Sequence, residues 1–310
     1  MSKIAILTQS CKYFAVPFLA KAIGADLYVI DHSQDGFFGE ITDAKKYVRG
    51  HAIDCEHLII IGARALHRYA ARIAAKTHKT VAVIFSDTNC CILSGWWNRF
   101  VEDNNVFVYI MPDLVQYCRG HHVPAFQTMT MPQLDAPARA EGQIAICHSP
   151  GAKGAYKGSK QIAAAITQLS KSYPIKYTAC KDLSWHDCLK AKAAADIFID
   201  QLVLGNPKIP QDRFGGKIAY NGALGKSGLE AMLLGCCVVS GCQELKTEPY
   251  FPNPPIVYTT GPNIVSDLEW LITEKQIRRE LSLKQREWAR SYLSPEFVGQ
   301  HLTRHINEAV

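Results

Sequence analysis

No stretch of this chain approaches the ~18 consecutive apolar residues that a membrane span needs, so no integral membrane segment is expected. No Cys-x-x-Cys occurs among the eleven cysteines, which argues against structural zinc. Cys90–Cys91 and Cys236–Cys237 are adjacent pairs inside apolar segments, so buried free thiols in a reducing cytoplasm are expected. No Asn-x-Ser/Thr sequon is present, in keeping with that address, and the opening MSKIAILTQS runs into a strand pattern rather than a secretory leader. Also missing are H-E-x-x-H, G-x-S-x-G and any Cys/His grouping in catalytic order, which leaves a hydrolase no residues to work with. Charge is in modest excess: a formal +6 suits phosphate handling, an anionic surface or simply a solvated lysine-rich one, and falls short of a nucleic-acid signature.

What is present describes a globular α/β protein. With 310 residues, 48% hydrophobic and 20% charged, the chain has material for two domains with separate cores. Short apolar runs alternate with helical patterns, as in layers around parallel sheets. Strands are expected at Ile4–Thr8, Leu27–Ile30, Leu58–Ile61, Val81–Phe85, Val106–Ile110 and, more weakly patterned, Ala125–Thr128, with helices at Val16–Ile23 and Ala65–Lys76. The alternation restarts with strands at Ile144–His148, Ile175–Ala179, Ile197–Asp200, Val238–Ser240 and Ile256–Tyr258. Helices are expected there at Ser159–Ser170, Trp185–Ala195, Lys226–Leu234, Ile264–Thr273 and Glu274 to about Ser291.

Met129–Gly142 is rich in Pro, Ala and charge and lacks periodicity, so it reads as a linker. The expected organisation is a Rossmann-like domain over 1–128, the linker at 129–142, a second such domain over 143–291, and a segment 292–310 packing back on the first. Two Rossmann-like domains with parallel sheets would face a cleft, and ligands of open α/β sheets lie beyond the carboxyl ends of the strands.

Two strand exits in the second domain carry anion-friendly loops. Lys217–Gly241, KIAYNGALGKSGLEAMLLGCCVVSG, runs a glycine-rich loop (Gly222, Gly225, Gly228) into a helix bearing Lys226, Ser227 and Glu230. Such a turn offers backbone N–H groups at a helix N-terminus, where the dipole favours phosphate, while a carboxylate one turn in can accept from sugar hydroxyls. After the first strand comes His148-Ser-Pro-Gly-Ala-Lys153-Gly-Ala-Tyr-Lys157-Gly158-Ser159, a Gly/Lys loop in which Ser159 is placed to cap the next helix. Lys153 and Lys157 can neutralise a diphosphate whose oxygens the amides bind, although the loop is not a Walker sequence. The run Asp196-Ile-Phe-Ile-Asp200-Gln201 reads as a turn acid, a buried strand and an exit bearing an acid and an amide, either ligand-facing or structural.

These three segments, in this order, resemble the donor half of retaining glycosyltransferases of the two-Rossmann GT-B architecture, over residues 144–242. The resemblance implies that Lys153 and Lys157 bind the donor diphosphate, that Glu230 in Glu-Ala-Met binds ribose hydroxyls, and that Gly225, Lys226 and Ser227 lie near the diphosphate and the transferred sugar. Many members carry a second glutamate eight residues before the Glu-Ala-Met acid; Gly222 stands there instead, so the chain is similar to a subgroup with Asp-Gln and a G-x-x-G loop. His148 is then a catalytic or donor-phosphate contact, and Asp200 and Gln201 are donor contacts. Ser10, after the first strand, is where related enzymes bring backbone close to the donor phosphate.

The first domain would bind the acceptor through its loops at Thr8–Lys12, His32–Phe38, Gly62–Arg64 and Ser86–Asn89. Asp87 is its best-placed carboxylate, contacting a sugar or acceptor hydroxyl or else capping a helix. Trp96-Trp97 and Phe37-Phe38 either stack on a ring or pack in the core. The implied activity is hexosyl or pentosyl transfer from a nucleotide-sugar cosubstrate to an acceptor hydroxyl, with no other cofactor. The absence of D-x-D agrees with metal independence. A glycan or lipid-linked sugar is the expected acceptor, with DNA of the kind bacteriophage base glycosyltransferases modify as the alternative. A sugar-nucleotide epimerase and a non-catalytic binding module on the same fold are the competing classes.

Overall fold

Runs of branched apolar residues without polar alternation make strands covered on both faces, which is the mark of parallel sheets. The strand His57–Ile61 (HLIII) is buried at all five positions. The structure, a computed structural model, describes residues 3–8, 16–30, 44–49, 51–61, 65–77, 80–85, 99–100, 103–104, 107–110, 122–124, 142–150, 157–203, 224–242, 244–245 and 247–308. The chain divides into two compact units, one of Met1–Thr130, Thr247–Pro252 and Tyr292–Val310, the other of Met131–Lys246 and Asn253–Ser291.

In the first unit, β1 (Ile4–Thr8), β2 (Asp26–Val29), β3 (Lys45–Lys46), β4 (His57–Ile61), β5 (Thr80–Phe85), β6 (Phe107–Ile110) and β7 (His122–Pro124) form one sheet. Its order is β3-β2-β1-β4-β5-β6-β7, with every pairing parallel. The chain leaves β1 in one direction and returns to its other side at β4, which makes a topological switch point. Helices α1 (Val16–Ala22) and α2 (Ala65–Lys76) are crossovers. The C-terminal helix Pro295–Glu308 lays Val298, Leu302 and Ile306 into the core with Leu19, Leu27 and Ile59, a four-residue spacing that keeps one face buried. Gly299 permits its close approach to α1, because a Cβ there would lie 2.4 Å from Ile23 Cγ2.

In the second unit, β8 (Ile144–His148), β9 (Ile175–Ala179), β10 (Ile197–Leu202), β11 (Cys237–Gly241) and β12 (Val257–Tyr258) pair in parallel in the order β12-β11-β10-β8-β9. Around them lie α3 (Ser159–Leu169), α4 (Trp185–Ala193), α5 (Lys226–Leu233), α6 (Ile264–Thr273) and α7 (Lys275–Tyr292). The order reverses between β8 and β10, so this sheet also has its crevice at the carboxyl ends of its central strands. The core joins Ile146, Ile162, Ile166, Ile199, Val239, Leu268 and Leu271. Gln285 of α7, fully buried, satisfies three backbone groups: it accepts from Val238 N at 2.6 Å and donates to the carbonyls of Val238 (3.2 Å) and Pro255 (3.0 Å).

Most expected elements are present, several with identical ends, and three findings differ. Strand β3 was not expected from the sequence: it is two exposed lysines, held by pairing with β2 and by a Lys45–Asp26 ion pair at 3.1 Å. The expected strand Ala125–Thr128 lies outside the described residues, whereas His122–Pro124 pairs with β6. Ser159 does not cap α3. That position belongs to Gly158, left-handed at φ 68°, and Ser159 is the first helical residue.

Candidate functional site

The site grows from an irregularity in β10. Asp196 sets the strand's start, its carboxylate accepting from Ala145 N at 3.0 Å and its own N–H donating to Ala145 O at 2.8 Å. Pairing with β11 then runs Ile197↔Cys237, Phe198↔Val238 and Ile199↔Val239, and resumes at Leu202↔Gly241. Asp200 and Gln201 therefore stand against Ser240 alone. A bulge of this kind bends a strand and re-aims its side chains. Gly241 allows the sheet to close again beyond it, since a Cβ there would come within 2.9 Å of Leu202 Cα.

Asp200, with none of its surface exposed, is the centre of the arrangement. Its Oδ2 accepts from Gly225 N at 2.7 Å, and its Oδ1 lies 3.6 Å from Lys157 Nζ with no hydrogen-bond partner among the described residues. The glycines make room for this carboxylate. A Cβ on Gly225 would sit 3.0 Å from Asp200 Oδ1, and one on Gly228 would sit 3.2 Å from its Cγ and 2.6 Å from Leu224 Cδ1. At least one amide at the α5 N-terminus is thus already bound by a protein anion. Lys226 is exposed and Ser227 half-buried in the first turn of α5, and Gln201 is buried beside Asp200 in the bulge.

One turn further along α5, Glu230 is buried in a set of partners. Its Oε2 pairs with Lys192 Nζ at 2.5 Å, its Oε1 accepts from Trp185 Nε1 at 2.9 Å, and Lys226 Nζ stands 3.8 Å away. Trp185 and Lys192 are seven residues apart on α4, which brings them to one face, and a helical side chain leans towards the N-terminus. The long Lys192 stem therefore reaches back to the same carboxylate as Trp185. Lys192 is 1% exposed, with its ammonium 5.4 Å from the Phe198 ring centroid.

His148 ends β8 with both ring nitrogens engaged: Nδ1 lies 2.7 Å from Ile199 O and Nε2 2.8 Å from Ser159 Oγ. A carbonyl only accepts, so Nδ1 carries the proton and Ser159 donates to Nε2. Burial lowers the imidazole pKa to about 4, against the Ile199 hydrogen bond that favours the charged ring, so the ring is neutral at pH 7. It bridges three elements without contributing positive charge. The preceding residue, Cys147, is a buried free thiol 3.4 Å from Cys180 Sγ, and the hydrogen bond the two thiols share lowers the pKa of Cys180.

Lys157, Asp200, Gly225 and, behind them, Glu230 are therefore gathered at the carboxyl ends of β8 and β10. Ser10, Asp87, Lys153 and Gly222 lie outside the described residues, as do Phe37, Phe38, Trp96 and Trp97. Lys192 and Trp185 are the partners that sequence reasoning missed. The only signal was a lysine three residues after the buried Leu189 on a short helix. Among the described residues no three His, Cys, Asp or Glu side chains group as metal ligands, and no helix is long and apolar enough to cross a membrane.

No protein-family model matches the chain, and no curated protein is similar to it in sequence. Solved structures match over its whole length. Anabaena HepE, in complex with UDP and glucose, has a TM-score of 0.62 at 12% identity, covering 99% of this chain and all of that one. The glycosyltransferase SnogD from Streptomyces nogalater has a TM-score of 0.54 at 10% identity, over 98% of this chain and 100% of its own. A putative UDP-N-acetylglucosamine 2-epimerase from Listeria monocytogenes has a TM-score of 0.52 at 9% identity, over 99% and 98%. The chain has an α/β fold of two Rossmann-like parallel sheets, the fold of the GT-B glycosyltransferases.

Proposed function

We propose that the protein is a glycosyltransferase that moves a sugar from a nucleoside-diphosphate sugar to an acceptor hydroxyl. The observation that carries this reading is the convergence of Lys157, the buried Asp200 and the N-terminus of α5 at the carboxyl end of the central strand β10. The likeness of the whole chain to a structure that holds UDP and glucose supports it. Departure of a nucleoside diphosphate leaves negative charge on the β-phosphate, and preorganised cations and amides stabilise such charge without reorganising. Lys157 supplies the cation, with Lys153 assigned beside it, and Lys226 and Ser227 supply the first-turn amides. Asp200 bonds Gly225 and holds the loop, and Gln201 offers its amide to the donor sugar.

His148, neutral and bonded on both sides, positions Ser159 and β10 rather than shuttling a proton. Glu230 takes the ribose hydroxyls, while Ser10 backs the donor phosphate and Asp87 orients the acceptor. Transfer is proposed to proceed with retention and without a metal, to a glycan or lipid-linked sugar. The donor phosphate itself accepts the acceptor proton, which removes the need for a dedicated base.

The epimerase reading is kept alive by the Listeria structure, and one experiment separates the two. Purified protein is incubated with a nucleotide sugar, with and without a glycan acceptor, and followed by proton NMR in EDTA. Acceptor-dependent release of nucleoside diphosphate, with the product keeping the donor's anomeric coupling, is expected. An isomeric nucleotide sugar formed without acceptor makes the protein an epimerase; activity abolished by EDTA removes the metal-free mechanism.

A further inference from the structure

The buried Lys192–Glu230 pair is the feature that the glycosyl-transfer chemistry does not itself require. A carboxylate has about four lone-pair positions. Lys192 takes one on Oε2 and Trp185 takes one on Oε1, while Lys226 at 3.8 Å lies beyond hydrogen-bond range. Two positions remain, one on each oxygen, which matches the two adjacent hydroxyls of a ribose. Both oxygens are held at fixed points from α4, so the carboxylate cannot turn to follow a different ligand.

Burying two charges is seldom stabilising in itself, because the desolvation cost rivals the attraction. An apolar pair would serve the core as well. Keeping the charges makes sense where the carboxylate has a further task.

We propose that Lys192 is a positioning residue which, with Trp185, fixes Glu230 as an acceptor-only carboxylate that reads a vicinal diol. It would thereby select ribonucleotide over 2′-deoxyribonucleotide donors. This rests on the nucleotide-sugar assignment and adds to it the residue that sets nucleotide specificity. The titratable groups facing Glu230 are Lys192 and Cys188 from α4 and Lys226 from its own helix, and Cys180 faces Lys192. With Lys192 replaced by methionine, Oε2 loses the partner that fixes it, and the carboxylate, held by Trp185 alone, can turn away from the diol.

The test is calorimetric titration of UDP, ADP, GDP and CDP and their 2′-deoxy forms into wild type, Lys192→Met, Lys192→Arg and Trp185→Phe, at pH 6 and pH 8.5. Wild type is expected to favour the ribo form of its nucleotide roughly 10- to 100-fold, the worth of a hydrogen bond to a charged group, equally at both pH values. In Lys192→Met the preference falls to about threefold or less at both pH values, because Oε2 is no longer held in place. Lys192→Arg keeps most of the preference, and Trp185→Phe, which retains the ring but not the N–H, loses several-fold of it.

Trp185→Phe serves where Lys192→Met does not fold. Full discrimination in folded Lys192→Met or in Trp185→Phe overturns the proposal. So does a wild type that binds a nucleotide without regard to its 2′-hydroxyl, although donor binding would then still stand. A wild type that binds none of the eight overturns the nucleotide-sugar assignment itself.

Discussion

Acidifying the protein through the range between pH 6.5 and 4 should cost stability through His148 in particular. Burial lowers the folded-state pKa of this imidazole from 6.5 to about 4, while the unfolded chain restores the ordinary value. Between those values the unfolded state binds more protons, so the stabilisation present above pH 6.5 is lost as the pH falls. The full span of 2.5 units amounts to about 3 kcal/mol, of which about 2 kcal/mol is gone by pH 5. Of the charged neighbours, Lys157 strengthens the shift and Asp200 weakens it.

The perturbation is His148→Asn. Its amide can still donate to the Ile199 carbonyl, but it does not titrate and does not reach Ser159. Urea unfolding at pH 7.5 and pH 5, followed by tryptophan fluorescence, gives the comparison; Trp185, Trp270 and Trp288 report on the second unit. At pH 7.5 the variant should be less stable by about 1–3 kcal/mol, for the lost Ser159 bond and the lost volume. At pH 5 that deficit should shrink by about 2 kcal/mol, because only wild type carries the histidine penalty. A deficit unchanged between the two pH values would refute both the burial argument and the neutral role given to His148.

Other substitutions test the rest of the site. Lys157→Ala should weaken nucleoside-diphosphate binding about tenfold or more, and it should also lower stability because the buried Asp200 loses its cation; an unchanged Kd by calorimetry on the folded variant removes Lys157 from the donor site. Glu230→Gln should destabilise by about 3–5 kcal/mol, since it leaves Lys192 charged and buried. The double variant Glu230→Gln with Lys192→Met should recover much of that loss in urea unfolding, and additive losses would contradict the pairing. Gly241→Ala should cost about 1–3 kcal/mol by forcing β10 and β11 apart at Leu202, and it should also weaken nucleotide binding if the bulge positions Asp200.

The sequence made the layers legible because burial on both faces leaves a local trace. Ile4–Thr8 and Ile144–His148 are apolar runs whose strands have the expected ends, and Ile264–Thr273 shows its buried positions at helical spacing. Lys45–Lys46 left no such trace, because an edge strand of two lysines is defined by its neighbour and not by its own pattern. The glycine loop and Glu230 were legible as a motif, but their engagements were not. Asp200 reaches Gly225 only because a bulge re-aims it, and period-two alternation gives no sign of a register shift. Lys192 pairs with a residue 38 positions away, and lysine is ordinarily read as surface; only the assembled helix pair shows that it lies inside. Ser159 looked like a cap because serine before a helix usually is one, yet Gly158 takes that place and frees the hydroxyl for His148.

The central claim is that the second unit holds a nucleoside-diphosphate sugar at the carboxyl ends of β8 and β10. A thermal-shift screen of UDP-, GDP-, ADP-, CDP- and dTDP-sugars tests it most directly, because a ligand that binds only the native state stabilises it by mass action. At a hundredfold excess over Kd the gain is about 2.7 kcal/mol, or several degrees for a unit of this size. The account predicts that the sugars of one ribonucleoside raise the melting temperature by that amount, and that Lys157→Ala cuts the gain by about half or more. No shift with any of the five at millimolar concentration, or a shift that Lys157→Ala leaves intact, would contradict it.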